Sequence, residues 1–341
     1  MLRQKYAIFI LIWILGGCRT DVDLIAPEAR ERLVVYAILK AQDTVQYVRL
    51  GRLFITREDA AAYASRTDLN VAARVTITDL RDTSRKWVGI PETVLKVPDQ
   101  PFYPVQVVYR FSFQPQSGHV YRLVAEVPER PDLRVEGTCR VPPAPYIAKP
   151  ETLIPQAGNQ YAYPIWDLTK KYNVEFYSQF SQSLPPQTPA YELRVLFRYG
   201  QVRTPGDTVY KTLLIGPRRL VHQGTSPYQR YQVPEKDFLL IAYANLQEPA
   251  LAYIYDTTSL SQAWQLEITA LDTFLYNYLR INDPATTDFT TVKPEYTNIQ
   301  NGLGIFGATN TSRRYFRIDA CSQYLLRLNN APPPPYACSL E

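Results

Sequence analysis

Apolar and polar residues alternate with a period of two along much of this chain. In Arg74-Val75-Thr76-Ile77-Thr78, Val75 and Ile77 fall on one face and the polar residues on the other. Over 191–199, Leu193, Val195 and Phe197 oppose Glu192, Arg194 and Arg198. Residues 33–39 form an apolar run, 45–55 form a second with Arg49 and Arg52 interleaved, and 105–113, 120–127, 133–141 and 264–271 read as further strands. Gln114-Pro115-Gln116-Ser117-Gly118 reads as a hairpin loop between two of them. Residues 239–243 are apolar throughout, the pattern of a strand buried on both faces. The helical period appears after Asp272, an N-cap type, where Phe274, Leu275, Tyr278 and Leu279 share one stripe up to the stop Asn282-Asp283-Pro284. A capping box, Thr56-Arg57-Glu58-Asp59 before Ala60-Ala61-Ala62, predicts a shorter helix.

These elements predict a mainly all-β protein. About seven short strands over 32–141 fit an immunoglobulin-like β-sandwich. Pro142, Pro143, Pro145, Pro150 and Pro155 then mark 142–155 as a proline-rich linker. A larger C-terminal β-rich domain with one or two short helices follows over 156–320, and a proline-rich tail over 321–341.

The first apolar run is different in kind. Arg3 and Lys5 precede nine unbroken apolar residues, 7–15, too few at about 1.5 Å each for a hydrocarbon core about 30 Å thick. A charged start, a short apolar stretch and small residues before a cut site make a secretory signal. Leu15-Gly16-Gly17-Cys18 closes it and resembles the lipobox of bacterial lipoproteins, whose cysteine becomes the lipidated N-terminus. Residues 1–17 are thus expected to be a lipoprotein signal peptide, Cys18 the lipid anchor, and 18–31 a tether. The alternative is a cysteine that follows an ordinary signal peptide by chance.

Charge and cysteines narrow the setting. Without Arg3 and Lys5 the formal charge falls from +5 to +3, with no Lys/Arg block of the kind that binds nucleic acid. With Cys18 acylated, three cysteines remain for an oxidising compartment, enough for one intramolecular bond. Cys321 and Cys338 are nearest in sequence and form the candidate disulfide; Cys139 is the third.

Candidate chemistry is sparse. Gly302-Leu303-Gly304-Ile305-Phe306-Gly307 spells G-x-G-x-x-G, but a dinucleotide site needs a helix directly after it, and Ala308-Thr309-Asn310-Thr311-Ser312 carries no helical stripe. Gly302, Gly304 and Gly307 are therefore expected to be structural, allowing a bulge or a close backbone approach. His119 and His222 stand alone, outside any metal-type spacing or nucleophile motif. Glu235 and Asp237 are more simply a solvated face than an acid pair. No catalytic residue, cofactor or metal is expected. Tyr161, Tyr163 and Trp166, or Tyr228 and Tyr231, are either stacking platforms at loop ends or strand packing.

Residues 298–308, Asn298-Ile299-Gln300-Asn301-Gly302-Leu303-Gly304-Ile305-Phe306-Gly307-Ala308, resemble the late signature of a lipoprotein family of the Bacteroidetes, domain of unknown function 4249. Tyr276-Asn277-Tyr278-Leu279, Val22-Asp23-Leu24 with Arg32-Leu33-Val34-Val35, Gly118-His119-Val120-Tyr121-Arg122-Leu123 and Val141-Pro142 are similar to other parts of it, whereas 332–341 do not align. The resemblance implies an outer-membrane lipoprotein accompanying a TonB-dependent transporter in nutrient uptake; the outward face is expected from Asp21 and Asp23, which resemble the acidic residues that follow the lipidated cysteine of some surface lipoproteins. It supplies no catalytic residue. The competing expectation is a free-standing surface binder or adhesin.

Overall fold

The alternating segments do form strands, and most of them join one sheet. The computed structural model describes residues 32–53, 59–66, 68–95, 104–149, 154–156, 160–162, 165–166, 173–177, 188–222, 230–234, 236–246, 252–254, 263–283, 295–335 and 337–338. The leader, Cys18, the tether and Thr56 lie outside them.

The strands of the first half are β1 (Leu33–Lys40), β2 (Val45–Arg52), β3 (Arg74–Asp79), β4 (Lys86–Val88), β5 (Ile90–Leu95), β6 (Val105–Ser112), β7 (Val120–Val127) and β8 (Arg130–Arg140). Next come β9 (Tyr146–Lys149), β10 (Ile154–Gln156), β11 (Gln160–Ala162), β12 (Ile165–Trp166) and β13 (Asn173–Tyr177). The last are β14 (Ala190–Thr204), β15 (Asp207–Val221), β16 (Arg230–Pro234), β17 (Ala252–Ile254), β18 (Trp264–Leu271), β19 (Ile299–Gln300) and β20 (Leu303–Ile318). Among the described residues four helices interrupt them: α1 (Ala60–Arg66), α2 (Lys236–Asn245), α3 (Thr273–Ile281) and α4 (Ala320–Leu325).

The main sheet runs β15-β14-β18-β20-β1-β2-β6-β5 and reaches ten strands with β12 and β17. Its central seam is the parallel pair β1 and β20, which sets the first described strand against the last. A five-stranded sheet, β19-β8-β7-β3-β4, faces the β1 side. Leu33, Val35, Val48 and Phe111 from one sheet pack with Ile77, Leu123, Val135 and Cys139 from the other, so the first half is a β-sandwich. A second core lies against the β14 and β18 side, where Val195, Phe197, Trp264 and Leu266 meet Phe176 of β13 and Phe238 of α2. Phe197 stacks on Trp264 with centroids 4.1 Å apart.

Several boundaries differ from the sequence reading. Phe306 and Ala308 of β20 belong to the first core, so the sandwich draws strands from beyond residue 141. Within 142–155, β9 pairs with β13, while Pro142 O accepts from Asn310 Nδ2 (2.9 Å) and Pro145 O from Ser312 Oγ (2.5 Å). The prolines cannot donate to a ladder, yet their carbonyls are stitched to β20. The segment from 321 onward begins in α4 and places Leu326 and Leu328 in the second core.

Two local readings are corrected. Residues 114–118 are not a hairpin, because β6 belongs to the main sheet and β7 to the facing one; the loop carries the chain between layers. Residues 239–243 lie in α2, not in a strand. Short apolar runs do not reveal their period, and the Leu and Ala content here favours helix. The helix after Asp272 runs as expected, with Asp272 as N-cap and Asn282 as C-cap. In α1, Asp59 Oδ1 accepts from Ala62 N at 2.8 Å, supplying the cap.

Candidate functional site

The glycine motif sits at the entry and in the body of β20, with strand rather than helix after it. Gly304 has φ +102°, and an added Cβ would lie 1.9 Å from Val35 O on β1. At Gly302 the same atom would come within 2.8 Å of Leu33 O, and at Gly307 within 2.9 Å of Leu275 Cβ in α3. The N-terminus of α3 lies against Gly307, but the Asp272 carboxyl already occupies it as the N-cap, accepting from Leu275 N, which leaves a pyrophosphate no place there.

Asp272 lies behind Gly307. It is buried, its Oδ1 accepts from Leu275 N at 2.6 Å, and its Oδ2 accepts from Ala308 N, so one carboxyl ties α3 to β20. Burial pushes its pKa up to about 7, against the downward pull of backbone donors at Leu275, Ala308 and Phe274. Cys139 is a free, buried thiol whose pKa is raised well above its usual range, first by burial and then by the Asp272 charge. A thiol held neutral is a poor nucleophile.

Cys321 and Cys338 form a disulfide, with Cα atoms 5.5 Å apart across a separation of 17 residues. A loop of this size stabilises by about 3 kcal/mol in the chain-entropy picture. Reduction, or a Cys321→Ser/Cys338→Ser double change, is expected to lower the melting temperature by several degrees. Cys139 should meanwhile resist iodoacetamide until the protein unfolds. A double variant that melts with the parent would remove any stabilising role from the bond.

His119 Nδ1 lies 2.7 Å from Asp79 Oδ2, and Asp79 is buried and also accepts from Arg81 N at 3.0 Å. The nearby hydroxyl, Ser117 Oγ, donates to Pro142 O at 3.4 Å, so the pair holds the layer-crossing loop and has no nucleophile from this serine. Among the described residues no group of three His, Cys, Asp or Glu side chains could hold a metal ion. Tyr163, Tyr228 and Glu235, and the side chains of Tyr161, Trp166 and Tyr231, fall outside the described residues.

Two surface features escaped the sequence reading. On the outer face of the main sheet, Tyr36 and Tyr47 are each 49% exposed and lie opposite Arg49 and Arg110 in register. Over β14, β18 and β20 that face is instead closed by polar contacts, Arg198 to Gln265 (2.9 Å), Gln265 to Glu267 (2.7 Å) and Arg313 to Glu267 (2.8 Å). The second feature is a cavity of about 310 Å³ between α2 and β15, walled by Leu193, Ile215, Phe238, Leu240 and Ile241. Pairing slips between Leu193 and Val195, so Gly216 and Pro217 bulge from β15 and open the space. Arg218 Nη1 meets Asp237 Oδ2 at 3.2 Å at the cavity. A bulge and a helix mistaken for a strand are both invisible to a period-two pattern, so no sequence signal marked this place.

The model of the family described as domain of unknown function (DUF4249) matches residues 19–315, most of the chain. The chain belongs to this family. The match takes in β1, the glycine motif and the α2 cavity, and stops within β20 before α4 and the disulfide. A search of curated proteins found no match.

Proposed function

We propose that this protein is a non-enzymatic outer-membrane lipoprotein, anchored through Cys18 and facing outward, that serves a TonB-dependent transporter in nutrient capture or uptake. The observation that carries the reading is Leu15-Gly16-Gly17-Cys18 at the end of a short apolar run. Family membership supports it through what the resemblance implies. Exposed Tyr36 and Tyr47, with Arg49 and Arg110 opposite them in register, support a protein partner, because Tyr and Arg dominate the centres of stable interfaces. Such an interface buries on the order of 1,600 Å². A lipid alone fixes a protein to a membrane without setting its position over a pore.

Cys18→Ala is expected to block lipid attachment and to release the protein from the membrane fraction. Normal maturation and unchanged fractionation of that variant would remove the anchor. The partner is tested separately, by gentle solubilisation and crosslinking in native membranes followed by identification of co-eluting chains. A large barrel in the complex supports the accessory role. The isolated lipoprotein in both assays would favour the free-standing binder.

A further inference from the structure

The α2 cavity has a composition that packing alone does not explain. Phe238, Leu239, Ala242 and Leu246 turn into the second core. Beyond that side the same helix is also apolar, with Leu240, Ile241 and Tyr243 exposed by 46, 42 and 46%. A surface helix normally puts charged or polar residues there. Leu240 and Ile241 instead form part of the cavity wall. At about 310 Å³ the space is at the small end of the range for ligand pockets, about 300–1,000 Å³.

The polar groups at the cavity are a cation and an anion side by side. Arg218 and Asp237 have side chains 51 and 43% exposed, and their ion pair at 3.2 Å is the polar side-chain contact each makes among the described residues. A guanidinium carries five N–H donors and a carboxylate about four acceptor positions, so both keep capacity for a further partner. An exposed pair of this sort stabilises a fold little, and its opening to admit a ligand is correspondingly easy. The bulge that places Arg218 depends on Gly216, whose φ is +106° and whose added Cβ would meet Leu193 O at 2.8 Å.

We propose that this cavity binds a free apolar α-amino acid. Its side chain would fill the space between Ile215, Phe238 and Ile241, its carboxylate would accept from Arg218, and its ammonium would donate to Asp237. The two charges of such a molecule flank a single carbon and so form a compact dipole complementary to an adjacent Arg–Asp pair. A longer peptide separates its charged ends and loses one of the two contacts. This assignment does not depend on a transporter partner.

Calorimetric titration of the intact lipoprotein in detergent with L-leucine and L-phenylalanine tests it. Saturable binding is expected, at least tenfold weaker for N-acetyl-L-phenylalanine amide, for Leu-Leu dipeptide and for L-aspartate. Arg218→Ala and Asp237→Asn should each weaken L-phenylalanine binding at least tenfold. Both residues are half-exposed, so the variants should melt within a few degrees of the parent. Ile241→Gln, exposed on α2, should weaken binding without touching the ion pair. No saturation at millimolar ligand, tighter binding of the dipeptide, or equal affinity in both charge variants would overturn the assignment. None of those results bears on co-purification with a barrel.

Discussion

Gly304→Ala is expected to remove a large part of the stability of the fold. The single added carbon would sit 1.9 Å from Val35 O, 2.9 Å from Val35 C and 3.1 Å from Val35 N. These are backbone atoms, which cannot rotate aside as a side chain can. The φ of +102° adds strain of order 1–3 kcal/mol for any L side chain. Relief of the clash requires β20 to part from β1, and that pairing runs from Val34↔Leu303 to Lys40↔Thr309. It also joins the β14–β18 half of the main sheet to the β2–β6 half. Loss of more than about 4 kcal/mol is expected, a large part of the 5–15 kcal/mol that holds a typical domain. Gly206→Ala is the control. Gly206 also has a positive φ, +87°, but nothing lies within 4 Å of its added Cβ, so about 1 kcal/mol should be lost. Urea denaturation followed by circular dichroism compares the two. Equal, small losses at both positions would mean that the β1–β20 approach is not what requires glycine.

How much of this was legible depends on the range of the signal. Alternation and short apolar runs are local, so β1, β3, β7, β14 and β18 could be read from a few residues each, as could the Asp272 cap. Which strands pair is not local. Nothing near Val35 announces that Gly304, far along the chain, will lie against it. The glycine motif was readable as a place of close approach, but not as the seam of the largest sheet. The division at 142–155 rested on proline density, which reports lost donors; the carbonyls of Pro142 and Pro145 still accept from β20. The α2 cavity was hidden for another reason. It is made by a register slip in β15 and by a helix whose apolar residues spread beyond its core-facing side, and neither leaves a periodic trace.

Asp272→Asn is expected to lower stability by about 2–4 kcal/mol and to abolish a pH dependence that the parent shows. The asparagine oxygen can still cap α3 by accepting from Leu275 N, but its NH₂ then faces the N–H of Ala308. A buried N–H left without an acceptor costs about 1–3 kcal/mol, and the displaced helix start adds to this. The aspartic acid avoids the conflict in either protonation state, because both carboxyl oxygens retain acceptor lone pairs. Its folded pKa of about 7 lies above the ordinary aspartate value of 3.8. Between those values the folded protein keeps a proton that the unfolded chain has released. Stability contributed by this group is therefore complete below about pH 4 and falls as pH rises towards 7. The slope is up to about 1.4 kcal/mol per pH unit, and it flattens above pH 7. Other carboxylates contribute their own slopes, so the decisive quantity is the difference between parent and Asp272→Asn across pH 5–8. That difference should shrink steadily with rising pH up to 7. A difference that stays constant would place the Asp272 pKa near its ordinary value, and the buried carboxylate would then be held ionised by its three backbone donors.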